Sequence, residues 1–453
     1  MEMAKPKVQR YEKYKNSGVI WLGDIPKHWE VESFKNILTE RNEKNAPIKS
    51  KEILSLSIDK GVTLYAEKTT NLDRFKDDFT KYKLAYKGDL VLNSMNMIVG
   101  AVGVSDYFGC VSPVYYTYHG GLDNSYTSKF YEYLFRCKTV QGVLYSLGKG
   151  LIAIDRGEGK YNTLRLKVSR DDLRSLRLPF PNLSERTAIV TYLNRKTALI
   201  DQAIGIKQKQ IELLKERRQI LIHKAVTRGL NPNVQLKDSG VKWIGEIPES
   251  WEVKKLKYCL TGKLKYGANE SGIEYDINLP RYIRITDFGH DGRLSEDSKL
   301  SLSWKNGGDY LLNDGDILFA RSGATVGKTY QFKKTMSTED SYCFAGYLIK
   351  AAANEKVVLS DFLYLYTNSD LFNKWKEGIF IKATIENIGA DKYCQLLVII
   401  PPLIQQKEIL AKYKLDDDKI ATAISLKEQE IEKLKEYKAT LINSAVTGKI
   451  KVC

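Results

Sequence analysis

Two near-copies of one pattern stand in tandem in this chain, and the duplication constrains its fold more than any other feature. Residues 17–31 (SGVIWLGDIPKHWEV) return as residues 239–253 (SGVKWIGEIPESWEV). Residues 211–227 (IELLKERRQILIHKAVT) return as residues 431–447 (IEKLKEYKATLINSAVT). Two copies of this length are too few and too long for a solenoid. The pattern predicts two similar units, each a larger globular half followed by a smaller helical half.

The helical halves carry a heptad pattern. From Leu183 to Val226 the apolar positions keep a period of 3.5, which is typical of a supercoiled helix. Prolines precede both helices, and Gly229 and Gly448 follow them. These apolar positions form a narrow stripe, or seam, along each helix. Because two like seams in one chain can cover each other, we expect the helices to pair within the chain. The alternative is that each seam packs on its own globular half. The seam residues are Ile200, Ile204, Ile211, Leu214 and Leu221 in the first helix, and Ile420, Ile424, Ile431, Leu434 and Leu441 in the second.

The globular halves read as mixed α and β structure. β-Branched and aromatic residues between turn residues predict strands over 52–58, 89–93, 282–285 and 316–320, with short helices near 129–135 and 360–366. The predicted fold class is therefore α+β, as a tandem repeat with two long helices. The predicted segments are 1–178, 179–235, 236–399 and 400–453.

Charge favours a polyanionic partner. The chain has 71 Lys and Arg against 55 Asp and Glu, a formal net charge of +16. Long-range attraction and counterion release would favour nucleic acid. The plainer alternative is a lysine-rich surface with no such partner.

Several classes of chemistry lack their motifs. The six cysteines are scattered, with no zinc-type spacing to histidine, and are expected to be reduced thiols. The four histidines lie far apart and beside no nucleophile motif. Residues 323–329 (GATVGKT) have three residues between the glycines where a phosphate loop needs four. We expect no metal, no cofactor and no catalysis in this chain alone. No apolar stretch of about 18 residues occurs, so a cytoplasmic location is expected.

Candidate nucleic-acid contacts come from two patterns. The aligned segments 88–100 and 315–327 each join a Gly-Asp turn and a buried strand to a polar loop. Such side chains can hydrogen-bond base edges or phosphates; the alternative is a plain connecting loop. Elsewhere, basic residues alternate with aromatic or polar ones, a mixture suited to stacking and phosphate contacts. The predicted DNA-binding residues are Lys83, Lys87, Asn93, Ser94, Asn96, Arg156, Lys160, Tyr161, Asn162, Arg281, Arg284, Arg321, Ser322, Thr325, Lys328, Lys382 and Thr384.

The whole arrangement resembles the specificity (S) subunit of type I restriction-modification systems. The resemblance depends on the repeated opening at Ser17 and Ser239, the Gly-Asp strands at Gly88 and Gly315, and the proline-led helices ending in Ala-Val-Thr. It implies a non-catalytic DNA-reading subunit with two target-recognition domains and two antiparallel helical spacers. It also implies two adenine methyltransferase (M) subunits and translocase-nuclease (R) subunits as partners, which would hold S-adenosylmethionine, ATP and Mg²⁺. The resemblance carries over no individual base contact.

Helix length would then act as a ruler. An uninterrupted helix over 184–226 spans roughly 60 Å at about 1.5 Å per residue, enough to set two readers about one DNA turn apart or more. Because the two variable halves differ, each should read its own motif, which gives an asymmetric bipartite site. Two other readings stay open: a coiled-coil adaptor that binds no nucleic acid, and the recognition part of a fused methyltransferase-nuclease.

Overall fold

The computed structural model describes residues 9–68, 78–121, 124–151, 165–289, 292–322, 325–380 and 387–452. Packing divides the chain into two compact units: unit 1 contains residues 1–207 and 429–453, and unit 2 contains residues 208–428. This division follows packing, whereas the four predicted segments follow the sequence pattern, so their bounds stay a prediction.

Unit 1 is a mixed α and β structure. Its helices are α1 (Phe34–Ile37), α2 (Asn124–Phe135), α3 (Lys138–Leu147), α4 (Arg170–Ser175) and the first part of α5 (Leu183–Thr227). Its strands are β1 (Tyr14–Asn16), β2 (Asp24–Pro26), β3 (Glu30–Ser33), β4 (Thr39–Arg41), β5 (Leu54–Ser57), β6 (Gly61–Leu64), β7 (Lys83–Ala85), β8 (Leu90–Asn93), β9 (Val102–Val104), β10 (Gly109–Val111), β11 (Tyr115–His119), β12 (Lys149–Leu151), β13 (Arg165–Lys167) and β14 (Arg177–Phe180).

A four-stranded antiparallel sheet in the order β4-β11-β8-β9 lies at the centre of unit 1. Strand β8 is buried on both faces. Successive side chains of a strand point to opposite faces, and here Leu90 and Leu92 belong to the main apolar cluster, whereas Val91 belongs to a second, smaller one. Strand β3 pairs with β14, and β1 with β2. Strands β5 with β6, β7 with β10, and β12 with β13 form two-stranded sheets.

Unit 2 is also a mixed α and β structure. Its helices are the last part of α5, α6 (Trp304–Gly307), α7 (Ser360–Thr367), α8 (Asp370–Phe380), α9 (Ala390–Tyr393) and the first part of α10 (Leu403–Val446), whose last part belongs to unit 1. Its strands are β15 (Leu236–Asp238), β16 (Glu246–Pro248), β17 (Glu252–Lys255), β18 (Lys265–Tyr266), β19 (Ile273–Glu274), β20 (Arg281–Ile283), β21 (Leu300–Ser301), β22 (Ile317–Ala320), β23 (Thr329–Gln331), β24 (Tyr342–Phe344), β25 (Leu348–Ala351) and β26 (Leu397–Ile400).

The repeat is visible in the topology. The sheet β18-β25-β22-β23 repeats the order of β4-β11-β8-β9, and the pairs β17 with β26 and β15 with β16 repeat β3 with β14 and β1 with β2. The second sheet of unit 2, β19-β21-β20-β24, contains a parallel pair and has no counterpart of that order among the described strands of unit 1. The copies thus share the four-stranded sheet and these two strand pairs, and they differ in the second sheet of unit 2.

The shared Gly-Asp motif is a structural turn. Gly88 and Gly315 have φ of 88° and 86°, a conformation that glycine adopts without strain. The carboxylate of Asp89 accepts the Tyr86 backbone N–H at 2.9 Å, and that of Asp316 accepts the Asn313 N–H at 2.8 Å. Both carboxylates are buried and ion-paired, with Arg41 and with Lys350. The turn therefore starts the central strand in both copies.

The two long helices pair in antiparallel orientation, as the contacts inside each unit establish. In unit 1, Asp201 of α5 pairs with Lys438 of α10 at 2.7 Å. In unit 2, Arg218 lies farther along α5 and pairs with Asp417, which lies earlier in α10, at 2.6 Å. The predicted α+β fold with two paired antiparallel helices is confirmed. Among the seam residues, Ile200, Ile211, Ile420, Ile431 and Leu441 are buried, whereas Ile204, Leu214, Leu221, Ile424 and Leu434 are partly buried.

The end of α10 packs on the opening motif of unit 1. Trp29, fully buried, donates its indole N–H to Glu185 at the start of α5, with distances of 3.1 and 3.2 Å to the two carboxylate oxygens. Gly448 follows α10 with φ of 73°, and a Cβ there would lie 3.1 Å from the Trp29 ring. Lys449 Nζ donates to the Leu22 carbonyl at 3.0 Å. One tryptophan therefore contacts the beginning of one long helix and the end of the other.

Three further observations concern the described part of the chain. None of its helices combines the length and the apolar character that crossing a membrane requires. Five cysteines are described, and none of the five forms a disulfide with another described cysteine. No three His, Cys, Asp or Glu side chains within the described ranges come together as metal ligands.

Candidate nucleic-acid interface

Polar and aromatic side chains collect at one end of the four-stranded sheet in unit 2. Arg321 directly follows β22, and its backbone N–H donates to the Tyr347 carbonyl, just before β25, at 2.9 Å. Tyr266 is the last residue of β18 and pairs with Ile349. Because neighbouring strands here are antiparallel, the end of one lies beside the start of the next. The sheet thus brings together residues from three separate segments.

Arg321 is held from two sides. Its guanidinium carbon lies 5.2 Å from the centre of the Tyr266 ring, a cation–π contact. Its Nε donates to Asn387 Oδ1 at 3.4 Å, and Asn387 forms a β-bridge with Ser322. Tyr266 is fixed in turn, because its hydroxyl accepts the Ala390 backbone N–H at 2.9 Å. We call Tyr266, Arg321, Ser322, Tyr347 and Asn387 the Arg321 surface.

The Arg321 surface is open to solvent. Tyr266 is 42% exposed and Tyr347 is 62% exposed, whereas Arg321 and Ser322 are partly exposed. Exposed aromatic rings beside a cation and an amide offer stacking, charge and hydrogen bonds at one place, the combination that binds nucleic acid. The arrangement offers a nucleic acid a cation, hydrogen-bonding groups and aromatic ring faces at one place.

The predicted residues Thr325 and Lys328, later in the same loop, do not belong to the Arg321 surface. Thr325 is exposed. Lys328 Nζ donates to the Phe288 carbonyl at 2.6 Å, which ties the loop to a neighbouring segment. Lys376 of α8 packs over Gly327, where a Cβ would lie 2.2 Å from Lys376 Cδ, and burial lowers the pKa of this lysine.

In unit 1 the matching loop is built differently. Asn93 ends β8, pairs with Tyr115, and accepts the Met95 backbone N–H with its side chain at 3.1 Å. Asn96 is exposed. Ser94, the residue at the position of Arg321, is completely buried, and its carbonyl accepts the Val168 N–H at 3.0 Å. This end of the sheet thus presents amides where unit 2 presents an arginine.

Three predicted DNA-binding residues are interior, which corrects their assignment to a surface. Ser94 has no exposed area, Lys83 is 6% exposed and Arg281 is 3% exposed. Lys83 Nζ donates to the Tyr115 carbonyl at 2.8 Å, and burial, together with the charge of Arg170, lowers the pKa of this lysine. Arg281 pairs with Glu339 at 3.3 Å and with Glu296 at 3.0 Å. Side chains buried in this way support the fold and have no surface left for a duplex.

The other predicted residues are dispersed. Lys87 is exposed, and the partly exposed Arg284 pairs with Asp287 at 2.8 Å. For the exposed and partly exposed residues, DNA binding stays a prediction. Six predicted residues lie outside the described ranges: Arg156, Lys160, Tyr161, Asn162, Lys382 and Thr384.

Sequence reasoning missed Tyr266, Tyr347 and Asn387. A local signal exists for the tyrosines, since Tyr266 precedes Gly267 and Tyr347 follows Gly346. At Gly267 a Cβ would lie 2.3 Å from the Ala345 carbonyl oxygen, so this residue must be glycine for the two segments to approach. The signal for Asn387 is absent, because its contact with Arg321 joins residues 66 positions apart.

Comparison with solved structures identifies the class of fold. A chain from a structure described as "Structural basis underlying complex assembly and conformational transition of the type I R-M system" superposes with a TM-score of 0.67 at 14% identity. The superposition covers 93% of this chain and 98% of that one. The protein therefore has the fold of a component of type I restriction-modification systems.

The curated relatives of the chain are specificity subunits. The chain is 24% identical over 454 residues to the putative type I restriction enzyme MjaX specificity subunit of Methanocaldococcus jannaschii, covering 95% of this chain and 96% of the relative. It is also 24% identical over 300 residues to the type I restriction enzyme MjaVIII specificity subunit of the same organism, covering 63% of this chain and 64% of the relative. No family model matches the chain. The resemblance to type I specificity subunits is confirmed.

Proposed function

We propose that the chain is the sequence-specific DNA-binding subunit of a type I restriction-modification complex, reading an asymmetric bipartite site with one half-site for each unit. The observation that carries the proposal is that one sheet order occurs twice with different residues after its central strand. In unit 2 the residue at this position is Arg321, which makes a cation–π contact with Tyr266. In unit 1 the matching residue is the buried Ser94, with Asn93 and Asn96 close to it in sequence. Two sheets of the same strand order that present different side chains are expected to bind two different DNA motifs.

Charge and the relatives support the proposal. The net charge of +16 favours a duplex partner by counterion release. The relatives are specificity subunits, and their similarity covers 95% and 63% of this chain. On this basis the chain is non-catalytic and cytoplasmic, and it docks two methyltransferase (M) subunits and restriction (R) subunits. Those partners would bind S-adenosylmethionine, ATP and Mg²⁺, and the repeated scaffold would supply two equivalent docking positions.

An exchange experiment tests the proposal. Residues 236–399 are replaced by the second variable half of another system, and adenine methylation is sequenced across the genome of cells that carry the whole complex. One half-site of the methylated motif should change and the other should stay. A change in both half-sites, or in neither, would contradict one reader per unit.

Two simple assays separate the alternatives. The complex assembled with its methyltransferase subunits should be retained on duplex DNA at low salt and released as salt rises. Absence of retention would favour a coiled-coil adaptor. Methyl transfer by the purified chain alone would favour a fused enzyme instead.

A further inference from the structure

We propose that Arg321 recognises a guanine through the major groove, within the half-site that unit 2 reads. This inference depends on the proposed function and gives it a residue and a base. The Arg321 side chain would donate two parallel hydrogen bonds to guanine O6 and N7, the commonest specific contact between a protein and a base pair.

Arg321 is fixed in place before any ligand binds. Its backbone N–H donates to the Tyr347 carbonyl at 2.9 Å, and its own carbonyl accepts the Ile388 N–H at 2.9 Å. The side chain lies over the Tyr266 ring and is held at Nε by Asn387. Both the backbone and the plane of the guanidinium are thus determined, so little side-chain entropy remains to be lost on binding.

The donors needed for a base remain available. Within the described ranges, the two terminal amino groups of Arg321 make no hydrogen bond and no ion pair. This differs from Arg281 and Arg284 of the same unit, whose terminal amino groups pair with the carboxylates of Glu339 and Asp287. A planar cation with Nε occupied and both terminal groups available presents a two-donor edge.

A phosphate could also accept that edge, but the comparison of the two copies favours a base. Phosphate contacts position a protein without reading sequence, so a backbone contact on a shared scaffold would be kept in both units. At this position unit 1 has Ser94, which is completely buried. The residue differs where the two readers are expected to differ.

The first test uses the full chain assembled with its methyltransferase subunits in cells, with the methylated motif read by sequencing. Arg321→Ala should remove the preference for guanine over the other bases at one position of one half-site, a loss on the order of 10- to 100-fold in discrimination. The other half-site should stay unchanged. Arg321→Lys should restore only part of that discrimination, because an ammonium can donate to O6 and N7 but cannot form the fixed planar pair of a guanidinium. Arg228→Ala, which removes an exposed arginine of the same unit, is the matched control and should leave the motif intact.

The second test alters the DNA and compares the wild-type complex with the Arg321→Ala complex. In duplexes with 7-deazaguanine, a carbon replaces N7, so at the recognised position the wild-type complex should bind on the order of 10-fold more weakly. The Arg321→Ala complex should be indifferent to the same replacement.

Three results would overturn the inference while leaving the proposed function in place. One is a half-site without guanine. Another is a wild-type complex insensitive to 7-deazaguanine at every guanine of that half-site. The third is uniform weakening by Arg321→Ala on all sequences with recovery by Arg321→Lys, which identifies a phosphate contact. A wild-type complex that methylates no defined motif would instead remove the proposed function, and this inference with it.

Discussion

Trp251 donates its indole N–H to Gln405 Oε1 at 2.7 Å, and in unit 1 Trp29 makes the same contact with Glu185. The tryptophans lie near the end of the repeated opening motif, and their acceptors lie in the first turn of the long helix that follows each sheet. Gly229 extends the similarity, since a Cβ there would lie 3.0 Å from the Trp251 ring. The repeated motif is thus explained by packing: it fixes a sheet to the ends of the helices.

Replacing Trp251 by Phe should destabilise unit 2 by about 1–3 kcal/mol, because a buried hydrogen bond and some buried volume are lost. Trp304 is 50% exposed and also donates its N–H to a carbonyl, so Trp304→Phe is the control and should change the free energy of unfolding by less than about 0.5 kcal/mol. Calorimetric unfolding of both variants measures the difference. Equal effects would mean that the Trp251 contact has no special role.

Replacing Gly448 by Ala should lower the stability of unit 1 markedly. Its φ of 73° disfavours any side chain, and the new Cβ would lie 2.4 Å from Pro26 Cδ. Gly205, inside α5, has no atom within 4 Å of a Cβ, and Gly205→Ala should stabilise the helix by roughly 0.5–1 kcal/mol. The melting temperature should therefore fall in the first variant and rise in the second; a rise in both would contradict the packing of the α10 end on Pro26.

The helix pair should depend on its buried seam. Ile420 is 6% exposed, and truncation to Ala should cost about 2–5 kcal/mol. Leu426 of the same helix is 53% exposed, so Leu426→Ala should be close to neutral. Denaturant unfolding followed by helical circular dichroism distinguishes the two. Similar losses in both variants would mean that the outer face of α10 is as important to stability as the seam.

Acid should weaken unit 2 through Glu339. Burial alone would raise the pKa of this carboxyl, but hydrogen bonds from Lys299, Tyr342 and Thr338 and the charge of Arg281 more than offset it and lower the pKa to about 2, from an ordinary 4.5. Since the folded pKa is the lower one, the stabilisation is present above pH 4.5 and is lost as pH falls toward 2. The contribution is about 3 kcal/mol.

Glu339→Gln should remove that contribution near neutral pH, and the difference from wild type should shrink as pH falls. Glu274→Gln, at an exposed strand position, is the control and should follow the wild-type curve. Free energies of unfolding at a series of pH values test this. A difference that stays constant from pH 7 down to pH 2 would exclude Glu339 as the titrating group.

Local patterns predicted the elements that repeat. The heptads predicted the long helices, which run from Leu183 to Thr227 and from Leu403 to Val446. The strand predicted over 316–320 is β22, Ile317–Ala320, and the helix predicted over 360–366 is α7, Ser360–Thr367. These succeeded because side-chain periodicity and turn residues are properties of consecutive residues.

The candidate site could be predicted only in part. The sequence indicated Arg321 and Ser322 as candidates because they follow a recognisable strand, whereas Tyr266 and Asn387 reach them through long-range strand pairing. Basic and aromatic interleaving also failed at Arg281, since the same composition describes an exposed patch and a buried ion pair. Arg281 forms a buried ion pair because the fold places the carboxylate of Glu339, from a distant part of the sequence, beside it.

The packing of the α10 end into unit 1 has a consequence for biosynthesis. Leu441, Ala445 and Val446 belong to the same apolar cluster as Trp29 and Leu193, although more than two hundred intervening residues belong to unit 2. A ribosome therefore supplies every residue of unit 2 before it supplies those that complete unit 1. Until then the nascent amino-terminal part has an uncovered apolar surface, and transiently exposed apolar surface of this kind favours aggregation during translation.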